Sequence, residues 1–204
     1  GTWDGEGCDM AIDEISVDDA SQALVTGDIT PIGTVFSMNS YGGGLMIAPE
    51  DAPTYLQWGC EGPNLPGTQS TYGTGAQNTD LMLAGLPALC GYPSGAASYC
   101  ADLNVGGYTD WYLPSIDELD SIYVNLNNPN SVIPFIGGMQ EWTYWSSTQT
   151  NHNYAFARSF SGGASPGYYE NKTNDNRVRC VRAFDAQDTC LIAAGCTDPA
   201  ASNY

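Results

Sequence analysis

No lysine or arginine occurs before residue 158. All five cations of this 204-residue chain, Arg158, Lys172, Arg177, Arg179 and Arg182, fall near its end, against 23 Asp and Glu, for a formal charge of −18. Nucleic acid and anionic lipid are held mainly through cationic contacts to phosphate, so this field excludes both as partners. No apolar run approaches the ~20 residues that cross a bilayer, which argues against membrane insertion. No basic stretch followed by an apolar one opens the chain, and it reads as a mature sequence. The seven cysteines include no C-x-x-C pair and are accompanied by a single histidine, His152, which leaves a zinc finger or ribbon without support. Enzyme signatures are missing too: there is no G-x-S-x-G, no H-E-x-x-H, and Gly73-x-Gly75 is not followed by a helix with Rossmann context. His152 lies in the polar run at residues 149–153, where it reads as a surface residue rather than a general base. With so many acids, nominating a carboxylate pair for glycoside hydrolysis carries no information. The chain reads as no enzyme.

What is present describes a globular α+β domain. The content of 42% hydrophobic residues with 11% aromatic supports a sizeable core. Cysteines without metal spacing fit disulfides and an oxidising compartment, hence a secreted or cell-surface protein. The acidic excess serves as a solubilising surface or, alternatively, as a site for divalent cations such as calcium. Residues 1–30 are acidic with little apolar periodicity and read as an arm or an extra strand. The core domain, residues 31–185, opens with two strands at 33–38 and 44–48 around a Gly-rich turn. Residues 49–77 follow as a long ordered loop. Asn78 reads as the cap of a short helix over about 79–86, and Ala97, Cys100 and Ala101 mark the buried face of another over 94–103. The third helix is best marked: Ser115 as N-cap, Glu118 three residues later as in a capping box, then a stripe of Ile116, Leu119, Ile122, Tyr123 and Leu126. Strands at about 142–147, 154–160 and 177–184 close the domain, and residues 186–204 form an extension. Strands at both ends with helices between them define α+β rather than a βαβ series.

Three blocks carry a family resemblance: Gly107-x-x-Asp110-Trp111-x-Leu113-Pro114-Ser115, Tyr144-Trp145-Ser146-Ser147, and Val178-Arg179-x-Val181-Arg182-x-Phe184. Their order resembles the Lcl C-terminal-like family, bacterial surface domains found on collagen-like adhesins, over about residues 32–184. The resemblance implies a C-type-lectin-like mixed fold with antiparallel sheet, two to three helices, long ordered loops and disulfide staples. It implies a Cys100–Cys180 bond from a helix to the last strand; beside it, a Cys60–Cys90 bond is expected to staple the long loop and a Cys8–Cys190 bond to fasten the two extensions to each other. The last ten residues look like the opening of a cysteine-bounded repeat of secreted bacterial proteins, which leaves Cys196 unpaired. Most motif residues have structural work: Asp110 as a turn acceptor, Trp111 and Trp145 as buried area.

The function implied is adhesion or recognition, with a glycan or another surface ligand as partner. Sugars are held by aromatic faces and by planar amides or carboxylates, often through a calcium ion with oxygen ligands. Tyr168, Tyr169, Glu170, Asn171, Asn174, Asp175 and Asn176, just before the last strand, supply both sets of groups. In calcium-dependent lectins an Asn-Asp pair precedes that strand and binds the ion, and Asn174-Asp175 is similar, although no Trp precedes it and no Glu-Pro-Asn lies upstream. Arg177, Arg179 and Arg182 offer a cationic patch for acidic glycans or, as the commoner outcome, ion pairs with the many acids. The alternative function is structural: a subunit or tip of an extracellular fibre, self-associating through residues 1–30 or 185–204 by strand addition.

Overall fold

The computed structural model describes residues 24–126, 135–161, 168–186 and 188. In chain order the elements are β1 (Ile29–Thr30), β2 (Gly33–Met38), β3 (Gly44–Ile47), β4 (Leu56–Gln57), α1 (Gly75–Cys90), α2 (Gly95–Ala101), α3 (Ile116–Leu126), β5 (Thr143–Gln149), β6 (Tyr154–Ser159), β7 (Tyr169–Asn171), β8 (Asp175–Asn176) and β9 (Val181–Phe184). Among the described residues three helices, α1 to α3, sit between two groups of strands, so the class is α+β. Strands pair antiparallel in three sets, β1-β2-β3-β9, β4-β8 and β5-β6-β7.

The four-stranded sheet is apolar on both faces because successive side chains of a strand point to opposite sides. Met46 joins a core with Trp58, Met82, Trp111 and Trp145, while its neighbours Leu45 and Ile47 join another with Leu119, Ile122, Tyr144 and Phe160. Val35 and Phe36, adjacent in β2, divide in the same way, Val35 entering the first core and Phe36 the second, and the register against β3 shifts between Val35 and Ser37. The polar ends of the buried indoles find backbone partners, Trp58 Nε1 on Ser146 O at 2.8 Å and Trp145 Nε1 on Leu56 O at 2.8 Å.

α3 starts where the capping box places it. Ser115 N donates to Glu118 Oε2 at 2.7 Å, and Glu118 N donates to Ser115 Oγ at 3.3 Å. Glu118 is buried and also accepts from Gly73 N at 3.1 Å, so this cap anchors the loop that leads into α1. Burial pushes the Glu118 carboxyl up from the usual carboxylate range. Gly75 opens α1 directly against that carboxylate, and a Cβ there would stand 2.3 Å from Glu118 Oε2. α1 runs longer at both ends than the expected 79–86, from Gly75 to Cys90, and its N-cap is Thr74. Asn78 is instead a buried residue of the first turn. Its amide accepts from Gln69 N at 2.8 Å and donates to Gln69 O at 2.7 Å, bonding across to a loop rather than capping. α2 begins as expected at Ser94, whose side chain accepts from Ala97 N.

The long loop proves mostly irregular but contains β4 and the start of α1. The expected strand at 177–184 is β9 only over Val181–Phe184; residues 177–180 lead into it along the segment that follows β3, with Cys180 O accepting from Ala48 N at 2.8 Å and Val178 O from Ala52 N at 2.9 Å. Leu24 belongs to the core and β1 extends the sheet, so the folded unit takes in residues before 31. Two disulfides staple the domain, Cys60–Cys90 and Cys100–Cys180. Cys8, Cys190 and Cys196 lie outside the described residues.

Tyr112 and Tyr144 give the fold an alkaline limit. Burial, reinforced by Glu118 at Tyr112 and by Asp51 at Tyr144, holds both phenols well above their ordinary 10. A raised folded pKa means that the unfolded chain loses these protons first, so their contribution is intact below pH 10 and lost as pH rises above it. Lys172, lowered by burial, acts in the opposite sense between about 8 and 10.5 and drops out above that. Above about pH 10.5 the tyrosines therefore dominate, each removing up to about 1.4 kcal/mol per pH unit. Denaturant midpoints from pH 10.5 to 11.5 should fall steeply, and Tyr144→Phe should flatten the slope; an unchanged slope in that variant would contradict the assignment.

Candidate functional site

The segment that carries the expected ligand residues is shaped by a tight turn between β7 and β8. Asn171 Oδ1 accepts from Thr173 N at 3.0 Å and Thr173 Oγ1 at 2.8 Å, and Asn174 N donates to Asn171 O at 2.8 Å. Lys172 turns inward from it and is fully buried. Its Nζ donates to Gln149 Oε1 at 2.6 Å, His152 O at 3.0 Å and Pro63 O at 3.1 Å, and lies 5.0 Å from the Trp58 ring centroid. Its carbonyl accepts from Trp58 N at 3.0 Å and Gly59 N at 3.1 Å. Burial lowers this ammonium from 10.5 to about 8. One lysine thus ties the loop after β4 and the end of β5 with its connection to β6 beneath the turn.

From that anchor the expected residues divide between two settings. Tyr168 Oη and Asn174 Nδ2 both donate to the Glu170 carboxylate, Asn171 Nδ2 donates to Glu61, and Tyr169 lies edge-on to Tyr154 with centroids 5.4 Å apart. The Glu170 hydrogen bond pushes the Tyr168 phenol up to about 12. In this patch the polar groups already satisfy one another. Asp175 and Asn176 face elsewhere: with Tyr55, Trp142 and Thr143 they line an open cleft of about 410 Å³. That volume lies within the range of small-ligand sites, about 300–1,000 Å³.

Three chain segments build the cleft. β4 pairs with β8, Leu56 opposite Asn176, which sets Tyr55 at one wall. Arg177 N donates to Thr143 O at 3.1 Å and Trp145 N to Arg177 O at 3.0 Å, which locks the start of β5, and Trp142 beside it, against the residue after β8. The Arg177 guanidinium lies 5.2 Å from the Tyr55 ring centroid and 5.9 Å from that of Trp142, and its Nη1 donates to Asp51 Oδ2 at 2.9 Å. Tyr55 and Trp142 meet edge to face, centroids 6.0 Å apart, and remain 46% and 54% exposed. Asn176 is buried, and its Nδ2 has no hydrogen-bond partner among the described residues.

The sequence brought Asp175 and Asn176 forward but missed Tyr55, Trp142 and Thr143. Trp142 reads as the first residue of a strand and so as core, and Tyr55 lies in a loop without periodicity. The pairing that unites them, β4 with β8, joins residues more than a hundred positions apart and leaves no local signal. Asn174 and Asp175 are adjacent in the chain, yet Asn174 turns to Glu170 while Asp175 faces the cleft. Among the described residues no group of three or more His, Cys, Asp and Glu is placed to hold a metal ion. The arginines form ion pairs with acids: Arg177 and Arg179 with Asp51, and Arg182 with Asp110 and Asp188.

Fold and site together define a disulfide-stapled α+β domain with an aromatic-walled surface cleft. The chain belongs to the Lcl C-terminal domain family, which matches it over residues 49–182. That span includes every residue lining the cleft. No curated protein matches the chain. Among solved structures it is similar to a fimbrial protein from Bacteroides ovatus ATCC 8483, at 19% identity and a TM-score of 0.47. The match covers 69% of this chain and 36% of the fimbrial protein, so the chain spans little over a third of that protein's length.

Proposed function

We propose that this chain is a non-enzymatic, lectin-like binding domain of a secreted or surface protein, and that it takes a carbohydrate in the cleft of Tyr55, Trp142, Thr143, Asp175 and Asn176. The observation that carries this reading is the pair of half-exposed aromatic rings beside a carboxylate and an amide. Leaving a tryptophan half in water forgoes burial worth roughly 1–2 kcal/mol, which a ligand's C–H face recovers. Asp175, exposed on the cleft wall, can accept hydroxyl protons of a sugar ring. Membership of the Lcl C-terminal domain family and the two disulfides support the extracellular setting.

The test is a glycan array with oxidised protein, once in millimolar calcium and once after chelation, followed by titration of the best ligand. Trp142→Ala should weaken binding about thirtyfold, the ~2 kcal/mol of a central aromatic anchor, and Tyr55→Ala should weaken it less. Binding abolished by chelation would bring a cation held at Asp175 into the site. Unchanged affinity in Trp142→Ala would remove the cleft from consideration.

A second reading, a fibre subunit, has one observation in its favour. Among the described residues β1 ends the four-stranded sheet, with Ile29 72% exposed. An end strand with an exposed β-branched residue is a template for strand addition. Covalent ladders on non-reducing gels of native material would favour that assembly.

A further inference from the structure

We infer that the saccharide taken by the cleft carries a zwitterionic substituent, an ammonium and a phosphate a few bonds apart as in phosphocholine; the inference rests on the carbohydrate reading above. Tyr55, Trp142 and Asp175 hold the ammonium, and Arg177 meets the phosphate. The first support is the pair of charges left open at the cleft. Arg158, Arg179 and Arg182 have side chains 6%, 2% and 3% exposed and Lys172 is fully buried, whereas the Arg177 side chain is 25% exposed. Its Nη1 donates to Asp51 Oδ2 at 2.9 Å and its Nε is buried, which leaves Nη2 as the nitrogen open to a ligand. Asp51 also pairs with Arg179, so one carboxylate faces two guanidinium groups and the cluster keeps a net positive charge. Asp175 is the converse: an exposed carboxylate on the cleft wall, without a side-chain hydrogen bond or ion pair among the described residues. Residues 175–177 run extended, since β8 pairs with β4 and Arg177 bridges to Tyr144. In such a segment residues two apart share a side, their Cα atoms about 6.5 Å apart, and the buried Asn176 takes the other side. An anion and a cation therefore stand on one side of the chain without pairing with each other.

The second support is the aromatic wall. Arg177 lies over both rings, yet Tyr55 and Trp142 remain 46% and 54% exposed, so each keeps π surface free for a further cation. Two such rings, met edge to face beside an unpaired carboxylate, form the kind of aromatic cage that holds ammonium groups. A phosphate oxygen is in turn a strong acceptor for a guanidinium N–H. Charge selects the combination over either half. A chain of formal charge −18 repels a purely anionic ligand, and the Arg177 guanidinium behind the rings opposes a purely cationic one. A group with both signs carries no net charge and satisfies both open side chains.

The experiment titrates the whole oxidised chain with phosphocholine, choline and inorganic phosphate, with a galactose disaccharide bearing or lacking phosphocholine, and with phosphatidylcholine vesicles. Phosphocholine should bind at least about tenfold more tightly than choline or phosphate alone, and the substituted disaccharide more tightly still. Asp175→Asn, at the exposed wall, should weaken phosphocholine binding about tenfold and leave phosphate binding unchanged. Arg177→Gln should reduce phosphocholine to the affinity of choline; if that variant misfolds by near-ultraviolet circular dichroism, Asp175→Asn decides alone. Phosphocholine bound no more tightly than choline or phosphate, or unaffected by Asp175→Asn, would overturn the inference. Vesicles bound as tightly as the substituted disaccharide would place the group on a lipid and overturn its saccharide source. Unsubstituted glycans bound, and lost in Trp142→Ala, with no gain from phosphocholine would overturn the inference while leaving the carbohydrate reading in place. Absence of binding to every saccharide and to phosphocholine would overturn both.

Discussion

Replacing Arg179 with methionine should destabilise the domain by about 3–5 kcal/mol, the usual consequence of stranding one partner of a buried ion pair. Arg179 is 2% exposed. Its Nε donates to Asp51 Oδ1 at 2.6 Å, Nη1 to Ala48 O and Gly137 O at 2.9 Å and to Pro49 O at 3.2 Å, and Nη2 to Gly138 O at 3.2 Å. Asp51 in turn accepts at Oδ2 from Arg177 and from Tyr144 Oη, both at 2.9 Å. Methionine fills much of the volume but supplies no donor, leaving a largely buried carboxylate with one cation and four carbonyls without this partner. Natural domains are stable by only about 5–15 kcal/mol, so the change removes a large share of the margin. For a chain of this size a loss near 4 kcal/mol lowers the melting temperature by about 8–16 °C. Thermal melts of the two proteins decide it, and a shift of under about 3 °C would mean that the network contributes little. Asp51→Asn should recover part of the loss in the Arg179→Met background, because it removes the stranded charge.

The same arginine marks how far the sequence could be read. Arg179 falls in a motif whose family likeness was legible, but its role was not: a cation with 23 acids to choose from gives no clue to which one it meets. Local signals transferred well. Ser115 and Glu118 sit three residues apart because a capping box is a property of one helical turn, and α3 begins there. The cap of α2 is Ser94, which was read only as the first residue of that helix. The misreading of Asn78 has the complementary cause. A side chain that caps in isolation bonds to Gln69 here, because the loop at 60–74 folds back over α1, a tertiary fact absent from any local window. In the site, Asp175 and Asn176 were legible as planar polar groups before a final strand. Tyr55 and Trp142 were not, since exposure and not residue type distinguishes a binding aromatic from a core one. Lys172, buried at the turn between the two settings, carries no local signal of that burial either.

Removing the Cys100–Cys180 bond by alanine at both positions should cost about 4–5 kcal/mol, more than the equivalent change at Cys60–Cys90. The bonds span 80 and 30 residues respectively. In the chain-entropy account, the longer loop restrains the unfolded chain by about 0.9 kcal/mol more. Packing adds to the difference: Cys100 and Cys180 are buried in the core with Trp58, Met82 and Trp145, so losing their sulfurs also leaves a cavity, whereas Cys60 and Cys90 are half-buried. Two measurements separate the bonds. Denaturant titration of each double variant should rank Cys100–Cys180 as the larger loss. Graded reduction of the native protein with thiol trapping and mass spectrometry should label Cys60 and Cys90 first, because a reductant must reach the sulfur it attacks. Simultaneous labelling of all four would mean that opening is global. The consequence reaches the cleft, since Cys180 lies three residues beyond Arg177, whose backbone ties Thr143 and Trp145 together and whose guanidinium sits against Tyr55 and Trp142. Loss of the long-range bond should therefore weaken ligand binding at temperatures where the fold still holds, and loss of Cys60–Cys90 should do so less.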